Sequence, residues 1–278
     1  MNSRLLNSGM KYRESIPESR RVVIKIGSRV IVQSSGRPDA RQIRQLVGQV
    51  AHARRKGYEI VLVSSGAIAA GMEALGMRER PTSVPDLQMC AAIGQGRLIA
   101  RYVELFAKER TLVGQVLLTH DDFDRKVSVT NLRRSIDHLL RAGAIPVINE
   151  NDVVADEEVK AFMSLGDNDY LASLVVRQIR ADLLVLLSTT DGLRDLSPQG
   201  RNRRIPFVEN IDRETFRLVA APKKGGLSKG GMDSKLRAAQ SCTQAGCNVV
   251  IANGRRSRVL EAILNGEDVG TMFIASPT

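Results

Sequence analysis

Two lysines of this sequence stand beside glycines in positions suited to phosphate chemistry. Lys25 ends an apolar run two residues before Gly27, and the pair Gly230 and Gly231 shortly precedes Lys235. Glycines ahead of a helix leave backbone N–H groups available to an anion, and a nearby lysine adds a point charge. The alternative for Lys25 is a side chain that extends to solvent beside a turn glycine. For Lys25 taken alone both interpretations stay open, whereas the glycines before Lys235 suit phosphate binding.

Two clusters of amide and carboxylate residues are the next candidates. The first, Asn149 to Asp152, directly follows an apolar run, and the second, Gly166 to Asp169, opens a helical pattern. Asn and Asp are ordinary turn and helix-cap residues, which is the plain alternative for both clusters. One turn or one cap needs fewer such residues than each cluster contains. We therefore interpret both as ligand-binding loops.

Small and hydroxyl residues follow two further apolar runs. Ser65 and Gly66 lead from a strand pattern into a helix, and Ser188 and Thr189 end another strand pattern. The start of the first helix could bind an anion or could be only a capped helix. The segment 229–235, KGGMDSK, is not a Walker A loop, because no lysine follows Gly230. The GQG at 94–96 lies in a helical pattern and lacks a third glycine, so it is not a dinucleotide fingerprint.

The elements that must position these residues alternate along the chain. Short apolar runs predict strands at 22–26, 60–63, 112–118, 145–148, 183–187, 248–251 and 271–274. Helical patterns lie at 40–56, 85–109, 129–142, 168–180 and 233–245. Residues 194–230 predict loops with a small hairpin or helix. Strands that are apolar on both faces, separated by helices, predict an α/β fold with a mainly parallel sheet covered on both sides. Ligands of such sheets bind at the carboxyl ends of the strands, where the polar clusters stand.

Composition narrows the function classes. The net charge is +11, and the stretch from Arg194 to Arg237 has 11 basic and 5 acidic residues. Aromatic residues make up only 4% and tryptophan is absent, so stacking platforms for nucleic acid are sparse and we expect no specific nucleic-acid partner.

The sequence predicts a cytoplasmic protein with reduced thiols and no membrane contact. It has three cysteines without CxxC spacing, no apolar leader and no uninterrupted apolar span. The three histidines lie far apart, and we predict no protein metal site.

The order of the motifs is more specific than any one of them. Over residues 21–274 the sequence resembles the glutamate 5-kinases of the amino acid kinase family. The motifs that carry the resemblance are, in order, KIGS at 25–28, SSGAIAAG at 64–71, NENDVV at 149–154, GDNDYLA at 166–172, STTDGL at 188–193 and KGGMDSK at 229–235. The resemblance implies a three-layer αβα sandwich. It implies one domain over 21–278, with a glutamate lobe at about 21–180 and an ATP lobe at about 181–278, after a flexible extension at 1–20. It also implies a form without the C-terminal PUA domain of many bacterial members.

The resemblance also assigns roles to residues. Lys25, Asp169 and Lys235 match the residues that stabilise phosphoryl transfer. The positions that contact glutamate in the family correspond to Ser65, Gly66, Asn149, Asp152 and Asn168. The positions that contact the nucleotide in the family correspond to Lys25, Gly27, Ser188, Thr189, Lys229, Gly230, Gly231, Met232, Asp233, Ser234 and Lys235. The family usually has Thr-Asp at 188–189 and threonine at 229, so this chain departs from the pattern at those positions.

The expected reaction is ATP-dependent phosphorylation of the γ-carboxylate of L-glutamate, which begins proline biosynthesis. Mg²⁺ would be held mainly through the ATP phosphates. A carboxylate is already ionised at neutral pH, so the lack of histidine in these loops fits this acceptor. Expected partners are L-glutamate, ATP, proline as a feedback inhibitor, and further copies of the chain. The alternatives are a kinase for acetylglutamate, aspartate or UMP, and a non-catalytic nucleotide- or RNA-binding regulator.

Overall fold

The apolar runs form the strands of one eight-stranded sheet in the computed structural model, which describes residues 12–154, 168–196, 201–219 and 231–276. Its strands are β1 (Arg21–Ile26), β2 (Glu59–Ser64), β3 (Leu112–Leu118), β4 (Ala144–Glu150), β5 (Leu183–Ser188), β8 (Phe207–Val208), β9 (Asn248–Asn253) and β10 (Thr271–Phe273); β6 (Arg194–Asp195) and β7 (Arg203–Arg204) form a separate hairpin. The order is β3-β4-β2-β1-β5-β9-β10-β8. The first six strands in this spatial order, from β3 to β9, run parallel to one another, and β10 is antiparallel to β9. The predicted mainly parallel sheet is confirmed.

Helices cover both faces of this sheet. They are α1 (Ser28–Ile31), α2 (Ala40–Arg55), α3 (Ala67–Ala74), α4 (Val84–Lys108), α5 (Asp121–Asp124), α6 (Lys126–Arg141), α7 (Asn168–Ile179), α8 (Arg213–Arg217), α9 (Met232–Gln244) and α10 (Val259–Leu264). The core on one face includes side chains of α2, α4 and α10, and the core on the other includes side chains of α6, α7 and α9. This is the predicted three-layer αβα sandwich.

The long predicted elements match the observed ones to within a few residues, because each combines a clear period with an apolar face. The short helices α1, α5 and α10 were not predicted, since a single turn has too few residues to show a period. Within 194–230, the described residues contain the predicted hairpin and a short helix, α8. The cysteines Cys90, Cys242 and Cys247 are free and buried, as expected. The division into two lobes near residue 180 stays a prediction.

Strand β3 differs from its predicted setting. Its apolar sequence suggested coverage on both faces, but it lies at the edge of the sheet beside β4 alone. Leu112 is 68% exposed and Leu117 is also exposed. The local sequence cannot distinguish an apolar edge strand from an apolar central one, because that difference depends on strand order.

The expected flexible extension over residues 1–20 is wrong for residues 12–20, while residues 1–11 lie outside the described part of the chain. Ile16–Glu18 form a 3₁₀ turn, and Ile16 is fully buried in the core beneath the sheet. Arg13 is also buried and donates hydrogen bonds to backbone carbonyls near the C-terminal strand. The polar composition of this segment suggested exposure, but Arg13, one of its two arginines, donates to a set of buried backbone carbonyls.

Helices α3 and α4 pack with almost no space between their backbones. A Cβ atom at Gly94 would overlap the carbonyl oxygen of Ala67, and one at Gly71 would overlap the carbonyl oxygen of Cys90. Gly94 therefore permits the close crossing of two helices, which is a packing role rather than nucleotide recognition. This contact fixes the start of α3, where Ser65 and Gly66 lead out of β2.

Replacing Gly94 with alanine is expected to lower the free energy of unfolding by about 3 kcal/mol, because the added methyl group meets rigid backbone. Gly96 on the same helix is the matched control, since a Cβ there meets nothing within 4 Å. Gly96→Ala should raise stability by about 0.5–1 kcal/mol, the ordinary gain in helix propensity. Urea unfolding of both variants measures the difference. Equal effects at the two positions would contradict the proposed close contact.

Candidate active site

Lys25, Asp169 and Lys235 meet at the carboxyl end of β1. The Lys25 Nζ lies 2.6 Å from Asp169 Oδ1, and the Lys235 Nζ lies 2.8 Å from Asp169 Oδ2. Lys25 belongs to β1, Asp169 to the first turn of α7 and Lys235 to the first turn of α9. Strand alternation places Lys25 on the same face as Val23, which is the face covered by α7 and α9. Three segments that are distant in sequence therefore form one ionic cluster.

This cluster is almost fully removed from solvent. Lys25 is 3% exposed, Lys235 is 5% exposed and Asp169 is not exposed at all. Burial alone would raise the pKa of Asp169, but the two adjacent lysines hold that pKa well below its usual range. Asp169 is therefore ionised, and two lysines share one carboxylate. The cluster carries a net positive charge, which suits a site that receives anions.

The side-chain amide of Asn168 joins the ends of two strands. Its Nδ2 lies 2.7 Å from the Ser64 carbonyl oxygen, 3.0 Å from Ser65 Oγ and 2.8 Å from Asn149 Oδ1. Ser64 ends β2, and Asn149 lies at the end of β4. Because Asn168 directly precedes Asp169, this amide also fixes the carboxylate of the ionic cluster relative to the neighbouring loops.

Gln95 is a residue that the sequence analysis did not select. The Asn149 Nδ2 donates to Gln95 Oε1 at 2.8 Å, so a residue of α4 orients the Asn149 amide. Gln95 stands beside Gly94 in the motif GQG, which was examined only as a nucleotide fingerprint. The signal that could have identified it was a polar side chain placed between two glycines on an otherwise apolar helix face.

The turn at Gly66 confirms a direct passage from strand to helix. Gly66 has φ +112° and precedes the first residue of α3, and no side chain in the described ranges caps that helix. A side chain at Gly66 would adopt a strained backbone conformation and would crowd Ile31. The N–H groups of the first turn of α3 therefore face the cavity without a side-chain cap.

The part of the cavity that is predicted to bind the nucleotide contains Ser188 to Thr190 at the end of β5 and Gly231 at the start of α9. Among the described residues, no side chain caps α9 and no atom lies within 4 Å of a Cβ built at Gly231, so this part of the chain leaves the Gly231 backbone accessible to a ligand. Ser234 donates to Asp169 Oδ2 at 3.1 Å and thus supports the ionic cluster. Asp233 instead pairs with Arg237 on the exposed face of α9. Lys229, Gly230, Gly166 and Asp167 lie outside the described residues.

One cavity of about 340 Å³ connects these groups. Of the predicted site residues, those that line it are Lys25, Gly27, Ser65, Gly66, Asn149, Asp152, Asn168, Ser188, Thr189, Gly231, Met232 and Lys235. Lining residues that the sequence analysis did not select include Ser28, Arg29, Arg80, Glu150 and Thr190. The two arginines are exposed, and they stand far apart in sequence, so their common place at the cavity depends on the tertiary fold.

Comparison with known proteins agrees with this geometry. The sequence matches the amino acid kinase family over residues 20–253. The chain belongs to the amino acid kinase family. A glutamate 5-kinase of Clostridium acetobutylicum is 40% identical over 271 residues, which cover 97% of this chain and 98% of that protein. A glutamate 5-kinase of Listeria monocytogenes is 38% identical over 94% of this chain and 95% of its own length.

Two further proteins extend the comparison. A glutamate 5-kinase of Methylococcus capsulatus is 41% identical over 95% of this chain, which corresponds to 70% of the relative. A carbamate kinase from Giardia lamblia, solved with AMP-PNP, superposes with a TM-score of 0.62 at 19% identity and covers 94% of this chain. That likeness shows the amino acid kinase fold. The expected family is confirmed, and its curated relatives at about 40% identity are glutamate 5-kinases.

The cavity of this amino acid kinase presents several groups that can bind phosphate oxygens. Within the described ranges, no group of three or more His, Cys, Asp or Glu residues is placed to hold a metal ion. The cavity instead offers lysines, an open glycine and helix N-termini, which suit phosphate oxygens. No helix among the described residues is long and apolar enough to cross a membrane.

Proposed function

We propose that the protein transfers the γ-phosphoryl group of ATP to the γ-carboxylate of L-glutamate and thereby forms glutamyl 5-phosphate, the first step of proline biosynthesis. The observation that carries the proposal is the buried Lys25–Asp169–Lys235 cluster beside a cavity that Asn149 and Asp152 also line. The glutamate 5-kinases at about 40% identity support this choice of acceptor.

The acceptor needs no general base. A γ-carboxylate with a pKa of about 4.3 is ionised at neutral pH and can attack phosphorus directly. Among the described residues that line the cavity there is no histidine. The main barrier is the approach of an anionic carboxylate to an anionic phosphate, which fixed positive charge lowers.

In the transfer, a carboxylate oxygen of glutamate forms a bond to the γ-phosphorus while the bond from that phosphorus to the β–γ bridging oxygen breaks. The bonding electrons leave with ADP. Lys25 and Lys235 are the side chains placed to stabilise the charge on the transferring phosphoryl group. Asp169 holds the two ammonium groups a fixed distance apart. Mg²⁺, held mainly by the phosphate oxygens, would neutralise further phosphate charge.

The glutamate end of the cavity has a different chemistry. Asp152 supplies a carboxylate for the α-ammonium group of the substrate, and the fixed amide of Asn168 and the hydroxyl of Ser65 supply polar contacts. A negative side chain at this place discriminates against N-acetylglutamate, whose nitrogen carries no charge. The same reasoning favours L-glutamate over a nucleoside monophosphate acceptor.

The expected result of an activity assay is ATP- and Mg²⁺-dependent formation of γ-glutamyl hydroxamate when hydroxylamine traps the acyl phosphate. The purified chain is incubated with L-glutamate, and parallel reactions contain L-aspartate, N-acetylglutamate or UMP. ADP release is measured in every reaction, because trapping detects only acyl phosphates. L-glutamate should exceed each of the other acceptors in kcat/KM.

Turnover confined to UMP or N-acetylglutamate would overturn this assignment.

We further propose that proline competes at the glutamate site, that the protein acts in the cytoplasm as a homo-oligomer, and that it binds no specific nucleic acid. Proline added to the same assay should raise the apparent KM for glutamate without lowering kcat. Unchanged rates at proline concentrations well above that of glutamate would remove the feedback proposal.

A further inference from the structure

Arg13 is buried in the second half of the molecule although it precedes the first strand. Its side chain is 2% exposed. The guanidinium lies within 2.8–3.3 Å of five oxygens: the carbonyls of Pro206, Glu267, Val269 and Gly270, and Oδ1 of Asp268. Four of these oxygens belong to one turn, 267–270, which leads into β10. A short N-terminal segment thus contacts the edge of the sheet that β8 and β10 form.

Such a site is specific for arginine. Burial lowers the pKa of the Arg13 guanidinium, and Asp268 opposes that change. A guanidinium stays charged in proteins and presents five N–H groups in a fixed plane, whereas a lysine ammonium has three donors around one atom. Tyr12 stacks on Phe207 with ring centroids 5.3 Å apart, which adds an aromatic contact beside the arginine. The contacts hold the turn 267–270 and β8 together.

The held turn contacts the loop at the end of β5. Thr271 follows Gly270, is fully buried, and accepts a hydrogen bond of 2.8 Å from the Leu193 N–H. A Cβ at Gly192, where φ is +134°, would overlap the Thr271 hydroxyl oxygen. The loop 188–193 therefore rests on Thr271 with no space to shift toward it.

Ion pairs between side chains also stabilise this loop. Asp191 makes two hydrogen bonds of 2.9 Å with the guanidinium of Arg194. Arg204 of the adjoining strand pairs with Asp268 at 2.7 Å and donates to the Gly270 carbonyl. The turn held by Arg13 and the loop 188–193 are thus connected both through Thr271 and through the β6–β7 hairpin. Ser188 to Thr190, at the start of the loop, line the cavity.

We propose that Arg13 is a positioning residue for nucleotide binding, which it supports by fixing the turn 267–270 and, through Thr271, the loop that begins at Ser188. The proposal rests on the proposed function only in placing the nucleotide at Ser188 to Thr190. It does not depend on which acceptor is phosphorylated. Arg13 does not line the cavity, and its contacts lead to the loop that begins at Ser188, so its effect should appear on the nucleotide and not on the acceptor.

The test compares Arg13→Lys with Arg20→Lys. Arg20 belongs to the same N-terminal segment, but its side chain is 80% exposed and pairs with Glu59 rather than with the turn 267–270. Isothermal titration should give a Kd for ADP that rises about 3- to 30-fold in Arg13→Lys and less than about 2-fold in Arg20→Lys. The KM for glutamate should stay within about 2-fold of wild type in both variants.

A merely structural role would give another result: equal weakening of ADP and glutamate binding, or a lower melting temperature with an unchanged Kd for ADP. Either outcome overturns the proposal. Because ADP binding is measured without an acceptor, a failure of glutamate phosphorylation leaves this test intact and is recognised separately.

Hydrogen exchange on the unmodified protein keeps the proposal testable if Arg13→Lys does not fold. Saturating ADP should slow amide exchange at 12–16, 191–194 and 267–272 more than in α6, the reference helix. Protection confined to 188–194, with no change at 12–16 and 267–272, would show that nucleotide binding is not coupled to Arg13.

Discussion

Replacing Asp169 with asparagine is expected to lower kcat by about 100-fold or more, with much smaller changes in the KM values for ATP and glutamate. Both carboxylate oxygens of Asp169 lie within 2.8 Å of a lysine nitrogen. An amide keeps the shape of the side chain but offers one oxygen and no charge, so two nearly buried ammonium groups would repel each other and move. The positive charges of the lysines would then no longer lie where negative charge develops on the transferring phosphoryl group. Steady-state kinetics measure the effect.

A helix-cap role for Asp169 predicts a different outcome, since asparagine caps helices about as well as aspartate. Asp39 provides the matched control, because its Oδ1 accepts a hydrogen bond of 3.1 Å from the Gln42 N–H at the start of α2. Asp39→Asn should leave kcat nearly unchanged. If Asp169→Asn behaves in the same way, the ionic cluster has no catalytic role.

Asp152→Asn is expected to raise the KM for glutamate by about 10- to 150-fold and to change kcat much less. The ammonium group that Asp152 is proposed to bind does not change charge during transfer. The interaction therefore contributes equally to the ground state and the transition state, and its loss weakens binding alone. The KM for ATP should be unchanged, because Asp152 follows β4, whereas the residues proposed to bind the nucleotide follow β5 and open α9.

The control for Asp152 is a change in the substrate. Glutarate has both carboxylates of glutamate but no amino group, so its kcat/KM should be equal in the wild-type protein and in Asp152→Asn. A loss with glutarate as large as the loss with glutamate would exclude recognition of the ammonium group. A pure kcat defect with glutamate would exchange the roles assigned to Asp152 and Asp169.

The meeting of Lys25, Asp169 and Lys235 could be predicted from the sequence for a physical reason. Polar residues that directly follow buried parallel strands converge at one edge of the sheet, and the start of the next helix returns to that edge. Each of the three residues stands at such a junction. Their direct ion pairs could not be predicted, because the pairing depends on how α7 and α9 lie on the sheet.

Residues whose partners are far away in sequence were missed. Gln95 reaches Asn149 only because Gly94 lets α4 approach α3 closely. Arg13 stands in a polar segment without any period, and four of its five partner oxygens are backbone carbonyls, which every residue possesses. A single sequence gives no sign of such a contact. The edge position of β3 was missed likewise, since strand order is a property of the whole sheet.

The central place of β1 has a consequence for the order in which the chain can fold. Strands β1 to β4 come from residues 21–150, so this half of the sheet can form while the rest of the chain is still being synthesised. Strand β5 adds to the free edge of β1 only after a loop of more than 150 residues has closed. Lys235 emerges later still. A ribosome-bound chain can therefore carry a folded half-sheet with Lys25 at its edge long before it can bind a nucleotide.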